Sequence, residues 1–78
     1  MIKKELKIII TFRTTTEAMS MEQMCKEQKL DGRIIPVPKS ITAGCGLAWC
    51  AKLESRDVLK KSMLKNGIEA EGIYECLI

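Results

Sequence analysis

Seventy-eight residues make one domain (residues 1–78), at the lower end of what folds alone; a chain this short buries only roughly 60% of the surface its unfolded form exposes. The composition, 46% hydrophobic and 29% charged, is that of an ordinary globular protein, and no apolar run approaches the ~20 residues that span a bilayer. Net charge is only +3, the basic residues are scattered, and a single Phe, Trp and Tyr offer few rings for stacking bases, so nucleic-acid binding has no positive support.

The start, Met1-Ile2-Lys3-Lys4-Glu5, carries two lysines, but the apolar stretch Leu6–Ile10 is broken by Lys7 and is too short for a signal-peptide core. The expected home is the reducing cytoplasm. Four cysteines there are free thiols, metal ligands or reactive groups rather than a disulfide framework.

Leu6-Lys7-Ile8-Ile9-Ile10-Thr11-Phe12 reads as a strand: Leu6, Ile8, Ile10 and Phe12 share one face at period two. Ile9 on the other face makes it richer than an edge strand, which predicts a central position. Thr14-Thr15-Thr16-Glu17 reads as a helix start, with Thr14 as N-cap and Glu17 three residues on completing a capping box. The helix is expected to reach about Leu30 with Ala18, Met21 and Cys25 on its buried stripe, and Asp31-Gly32 to end it, Gly32 taking the left-handed conformation.

Arg33-Ile34-Ile35-Pro36-Val37-Pro38 reads as a second strand, confined to a sheet edge because proline cannot donate to a ladder. Lys39–Gly44 is a connecting loop. Cys45–Lys52 is expected to be a strand, and a helix is expected from Ser55 to about Asn66, carrying Val58, Leu59, Met63 and Leu64 and stopped by Gly67. Gly72–Leu77 makes the last strand. The order β-α-β-β-α-β fits an α+β, ferredoxin-like two-layer sandwich with strand order 4-1-3-2 and both helices on one face. It puts the isoleucine-rich strand inside and the proline-bearing strand at an edge.

The cysteines differ in their surroundings. The chain has no histidine and no C-x-x-C pair, so a metal site is not expected. No cofactor is implied. Within a strand Cys45 and Cys50 would face opposite ways with Cα atoms about 16 Å apart, too far for a disulfide, which needs roughly 4.4–6.8 Å. Cys25, Cys50 and Cys76 read as small buried hydrophobes. Cys45 stands between Gly44 and Gly46, where backbone N–H groups can form an anion-binding nest, helped by Lys39. An unperturbed thiol with pKa near 8.5 is only about 3% thiolate at pH 7, so such donors would decide its reactivity. The alternative is that the glycines serve the turn and Cys45 fills a gap. Without histidine no Cys-His dyad can form, which disfavours hydrolase-type chemistry and an enzyme; a thiolate that only carries a group needs no internal base.

Ile35-Pro36-Val37-Pro38-Lys39, then Ile41, then Gly44-Cys45-Gly46-Leu47-Ala48, resembles the selenium/sulfur carrier-like family of small bacterial and archaeal proteins. The resemblance extends over most of the chain, through Phe12, Glu17-Ala18 and the closing Gly67-Ile68 and Gly72-Ile73-Tyr74. It implies a cysteine holding sulfur or selenium as a persulfide or selenosulfide, mapped onto Cys45. Pro36 and Pro38 would stiffen the loop, and Lys39, Gly44 and Gly46 would stabilise the anion. The partners it implies are a donor such as a cysteine desulfurase and an acceptor protein. Two other readings stand beside the carrier. One is a binding or interaction module without cysteine chemistry, using Ile9 or Tyr74 on the open sheet face for a ligand or a second copy. The other is a redox-sensing thiol with Cys76 as its resolving partner.

Overall fold

The computed structural model describes residues 5–39, 41 and 46–77. The elements run β1 (Leu6–Thr11), α1 (Thr15–Gln28), β2 (Arg33–Pro36), β3 (Leu47–Lys52), a 3-10 turn (Leu53–Ser55), α2 (Arg56–Lys65) and β4 (Gly72–Leu77). The four strands form one antiparallel sheet in the order β2-β3-β1-β4, the expected 4-1-3-2 order read from the other edge.

β1 is central because both of its faces are apolar. Ile8, Ile10 and the following Phe12 point to one side, Ile9 to the other, and all four are buried. Its register sets Ile8 against Ala51, Ile9 against Cys50 and Ile10 against Trp49 on β3; Lys7 stands against Cys76, and Ile9 against Tyr74, on β4. β2 is an edge strand, pairing with β3 alone, Pro36 lying opposite Leu47. It stops at Pro36, so Pro38 lies beyond the strand rather than in it.

Both helices cover the Ile8–Ile10 face. Ala18, Met21, Met24 and Cys25 of α1 and Leu59 and Met63 of α2 pack with Ile8, Ile10, Phe12, Trp49 and Ala51 into the main core. Val58 and Leu64 of α2 are not part of that stripe and face solvent, Leu64 at 85% exposure. α1 starts where its sequence says: the Thr14 hydroxyl accepts the Glu17 N–H at 3.2 Å. Such a cap contributes about 1 kcal/mol.

Three local expectations are corrected. The helix ends at Gln28, and the left-handed residue is Lys29 (φ 55°), with the Leu30 N–H reaching back to the Cys25 carbonyl at 2.8 Å. Gly32 (φ 124°) serves a different purpose: a Cβ there would overlap the Trp49 indole, whose Nε1 donates to the Asp31 carbonyl at 3.1 Å. The glycine is there so that Trp49 can close on the chain. α2 starts one residue late, because Leu53–Ser55 forms a 3-10 turn and Ser55 gives no side-chain cap. Its end is as expected: Gly67 (φ 69°) turns the chain so that the Ile68 N–H bonds the Met63 carbonyl at 2.9 Å. No helix among the described residues is long and apolar enough to cross a membrane.

Candidate functional site

Among the described residues no helix packs on the second face of the sheet, where Val37 and Ile41, which follow β2, join the cluster instead. Ile41 is buried at 9% exposure and packs with Ile9, Ala48 and Cys50, with Ile35, Val37 and Cys76 around them. Ile9 is therefore not a surface residue, and the expectation that it contributes to an open binding face is overturned: it is fully buried and packs with Ile41. Tyr74, in register with Ile9 on β4, remains 41% exposed.

Two backbone hydrogen bonds frame this loop. Beyond Pro36 the Val37 N–H donates to the Gly46 carbonyl at 3.0 Å, extending the β2–β3 pairing by one step. The Ile41 N–H then donates to the Pro38 carbonyl at 2.9 Å, closing a turn that carries the exposed Lys39. Proline suits both Pro36 and Pro38, since each fixes φ and neither position requires an N–H donor in these bonds. Gly46 has φ 76° with open space where a Cβ would stand, so it is glycine for its conformation rather than for a close neighbour. The structure thus brings Pro36, Val37 and Gly46 together at the loop base and sets Lys39 on the adjoining turn. Cys45 and Gly44 lie outside the described residues. β3 starts at Leu47, so the expected strand over 45–52 is shorter than its sequence suggests.

The other three thiols are placed. Cys25 lies in the main core, and burial pushes its thiol up to about 11. Cys50 is buried on the second face; burial is the largest influence and raises its thiol above the ordinary value, while the charges of Lys7 and Arg33 pull the other way. Both are held as neutral thiols at pH 7. Cys76 is half-buried on β4, on the same face as Cys50 but on the far side of β1. Two strand spacings separate those backbones, about 9.5 Å, beyond the roughly 7 Å limit for a disulfide. Among the described residues no group of three or more His, Cys, Asp or Glu side chains is arranged to hold a metal ion.

One cluster escaped the reading of the sequence. Lys7, Arg33 and Lys52 all project from the second face around Cys50 and line a cleft of about 340 Å³ with Asp31 and Gly32. The signal was present in strand parity: Lys7 alternates with Ile9, and Lys52 with Cys50.

The fold defines a small α+β domain with two helices on a four-stranded antiparallel sheet, in which Cys45 lies in sequence between the edge strand β2 and the inner strand β3. Among protein families the chain matches "Putative Se/S carrier protein-like" over residues 7–75, nearly its whole length, and it belongs to that family. Comparison with curated proteins and with solved structures returned no match.

Proposed function

We propose that this protein is a non-enzymatic carrier of sulfane sulfur or selenium, with Cys45 as the carrying thiol. The reading is carried by membership of the carrier-like family, whose match spans the Pro36-Val37-Pro38-Lys39 and Cys45-Gly46 elements. The chemistry of the remaining cysteines supports it. Cys25 and Cys50 are buried and held protonated, and a buried neutral thiol is a poor nucleophile. The two hydrogen bonds that fix Val37 to Gly46 and Ile41 to Pro38 give the loop set ends from which to present its thiol. The βαββαβ order with both helices on one face supports a ferredoxin-like scaffold for such a loop.

In this reading the Cys45 thiolate attacks the terminal sulfur of a donor persulfide. The donor's S–S bond breaks, a new S–S bond forms on Cys45, and the donor cysteine leaves as thiolate; no electrons are gained or lost overall. Attack by an acceptor thiolate reverses the step. Gly44, Gly46 and Lys39 stabilise the anion, and Pro36 and Pro38 limit the loop's freedom. The donor is a protein of the cysteine desulfurase kind, the acceptor a second protein, and the setting the reducing cytoplasm. The test is mass spectrometry of the intact chain after incubation with a cysteine desulfurase and cysteine. An added sulfur atom, absent in Cys45→Ala and removed by dithiothreitol, is expected. An unmodified wild-type chain, or an equal adduct on Cys45→Ala, overturns the reading.

A second reading, an interaction module without cysteine chemistry, is favoured by β4. This edge strand has no proline and exposes Ile73, Tyr74 and Leu77, the kind of edge on which a second copy of the chain can pair. It predicts a dimer in size-exclusion chromatography that Tyr74→Lys dissociates and Cys45→Ala leaves intact.

A further inference from the structure

The cleft at the other end of the loop-covered face combines features that the carrier reading does not use. Three strands each bring a cation to it. Arg33 of β2 stands opposite Cys50 of β3, and Lys52 of β3 stands opposite Lys7 of β1, so all three side chains leave the sheet on one side. Two carboxylates lie nearby, Asp31 in the cleft wall and Glu5 beside Lys7, so three cations outnumber them by one. Asp31 Oδ2 accepts the Lys52 backbone N–H at 2.9 Å, and Glu5 pairs with Lys7 at 3.5 Å. Arg33 and Lys52 have no ion pair among the described residues. The floor is Cys50, 6% exposed and neutral, which adds no negative charge to repel an anion. Gly32 lines one wall and leaves it free of side-chain bulk. The volume, about 340 Å³, is roughly ten times the share of one water in the liquid, room for a small ion and several waters.

We propose that this cleft binds a small inorganic oxyanion of the sulfate, phosphate or selenite class, with Arg33 as its two-pronged anchor and Lys52 and Lys7 as charge partners. Arginine presents a planar fork that matches two oxygens of one oxyanion, while the lysines act as point charges. The site draws on no residue of the Cys45 loop, so it stands or falls separately from the carrier chemistry.

The test follows backbone amide shifts of the whole chain by NMR during titration with sodium sulfate, with chloride exchanged to hold ionic strength constant. Saturable shifts confined to Gly32, Arg33, Ala51 and Lys52 are expected. Arg33→Gln should weaken binding about tenfold or more, and Arg33→Lys, which keeps the charge but not the fork, should recover only part of it. Lys52→Gln is a second variant that weakens binding should Arg33→Gln fold poorly, and Lys65→Gln on α2 should change nothing. Parallel titrations with phosphate and selenite identify the source: equal binding of all three marks a general oxyanion site, and selenite alone marks one for the carried element. Shifts that are linear and spread over the surface, or binding that survives both Arg33→Gln and Lys52→Gln, overturn the proposal.

Discussion

The two faces of the sheet are built from the same strands yet covered in opposite ways. On one face two helices bury Ile8, Ile10, Phe12 and Trp49 in a thick core that holds no charged side chain. On the other, among the described residues, Ile41 packs with Ile9, Ala48 and Cys50 in a smaller cluster, and beyond them Lys7, Arg33 and Lys52 line a cleft. A domain this small has one core's worth of apolar side chains. Spending them on the helical face leaves the other with a lighter apolar cover and room for charge, and that is where the basic cleft sits.

Paired truncations test that division first. Phe12→Ala, at a fully buried site under the helices, should cost about 3–5 kcal/mol in urea unfolding, a large share of a total of about 5–15. Ile41→Ala should cost about 2, the low end for such a change, because Ile41 is buried in the smaller of the two apolar clusters. Ile41→Ala should also raise the alkylation rate of Cys50, which Leu59→Ala, a core change of similar type, should not. Equal costs for Phe12→Ala and Ile41→Ala would break the comparison.

The pH dependence sharpens it. Burial raises the Cys25 thiol from its ordinary value, here taken as 9.0, to about 11 in the folded chain. Below pH 9 both states are protonated and stability is full. Between pH 9 and about 11 the unfolded chain gives up its proton while the folded chain keeps it, so stability falls with rising pH and then levels off. At about 1.4 kcal/mol per pH unit the loss approaches 2–3 kcal/mol. It is read as the difference in unfolding free energy between wild type and Cys25→Ala, since other groups titrate there too. A difference that stays flat from pH 8 to 11 would place Cys25 outside the dry core.

The smallest effect concerns the helical layer alone. Thr14→Ala removes the hydroxyl that accepts the Glu17 N–H and should cost about 1 kcal/mol, while Thr14→Ser should cost a few tenths at most.

Much of the helical face was legible in the sequence, because periodicity records which side chains share a core. Ile8, Ile10 and Phe12 at period two, and Ala18, Met21 and Cys25 at helical spacing, placed themselves. Pro36 marked its own edge, and Thr14 its own cap. The loop-covered face was harder to read. Ile9 looked like a surface residue because nothing in the local pattern says that Ile41, thirty-two residues on, returns to cover it. Gly32 looked like a helix stop because the Trp49 ring that needs its missing side chain is also remote in sequence; the helix itself closes on a left-handed Lys29. Lys7, Arg33 and Lys52 looked scattered until the strand register set them side by side. Of the candidate site, the loop ends and Lys39 are placed, whereas Cys45 and Gly44 are known from the sequence alone.

The most direct test of the account is the alkylation rate of each thiol in the native protein at pH 7, followed by peptide mass spectrometry with a limiting dose of iodoacetamide. The account predicts that Cys45 reacts well ahead of Cys25 and Cys50, and that Lys39→Gln slows Cys45 without altering the other two. A Cys45 that reacts no faster than the buried pair, or a rate indifferent to the charge at Lys39, would contradict it.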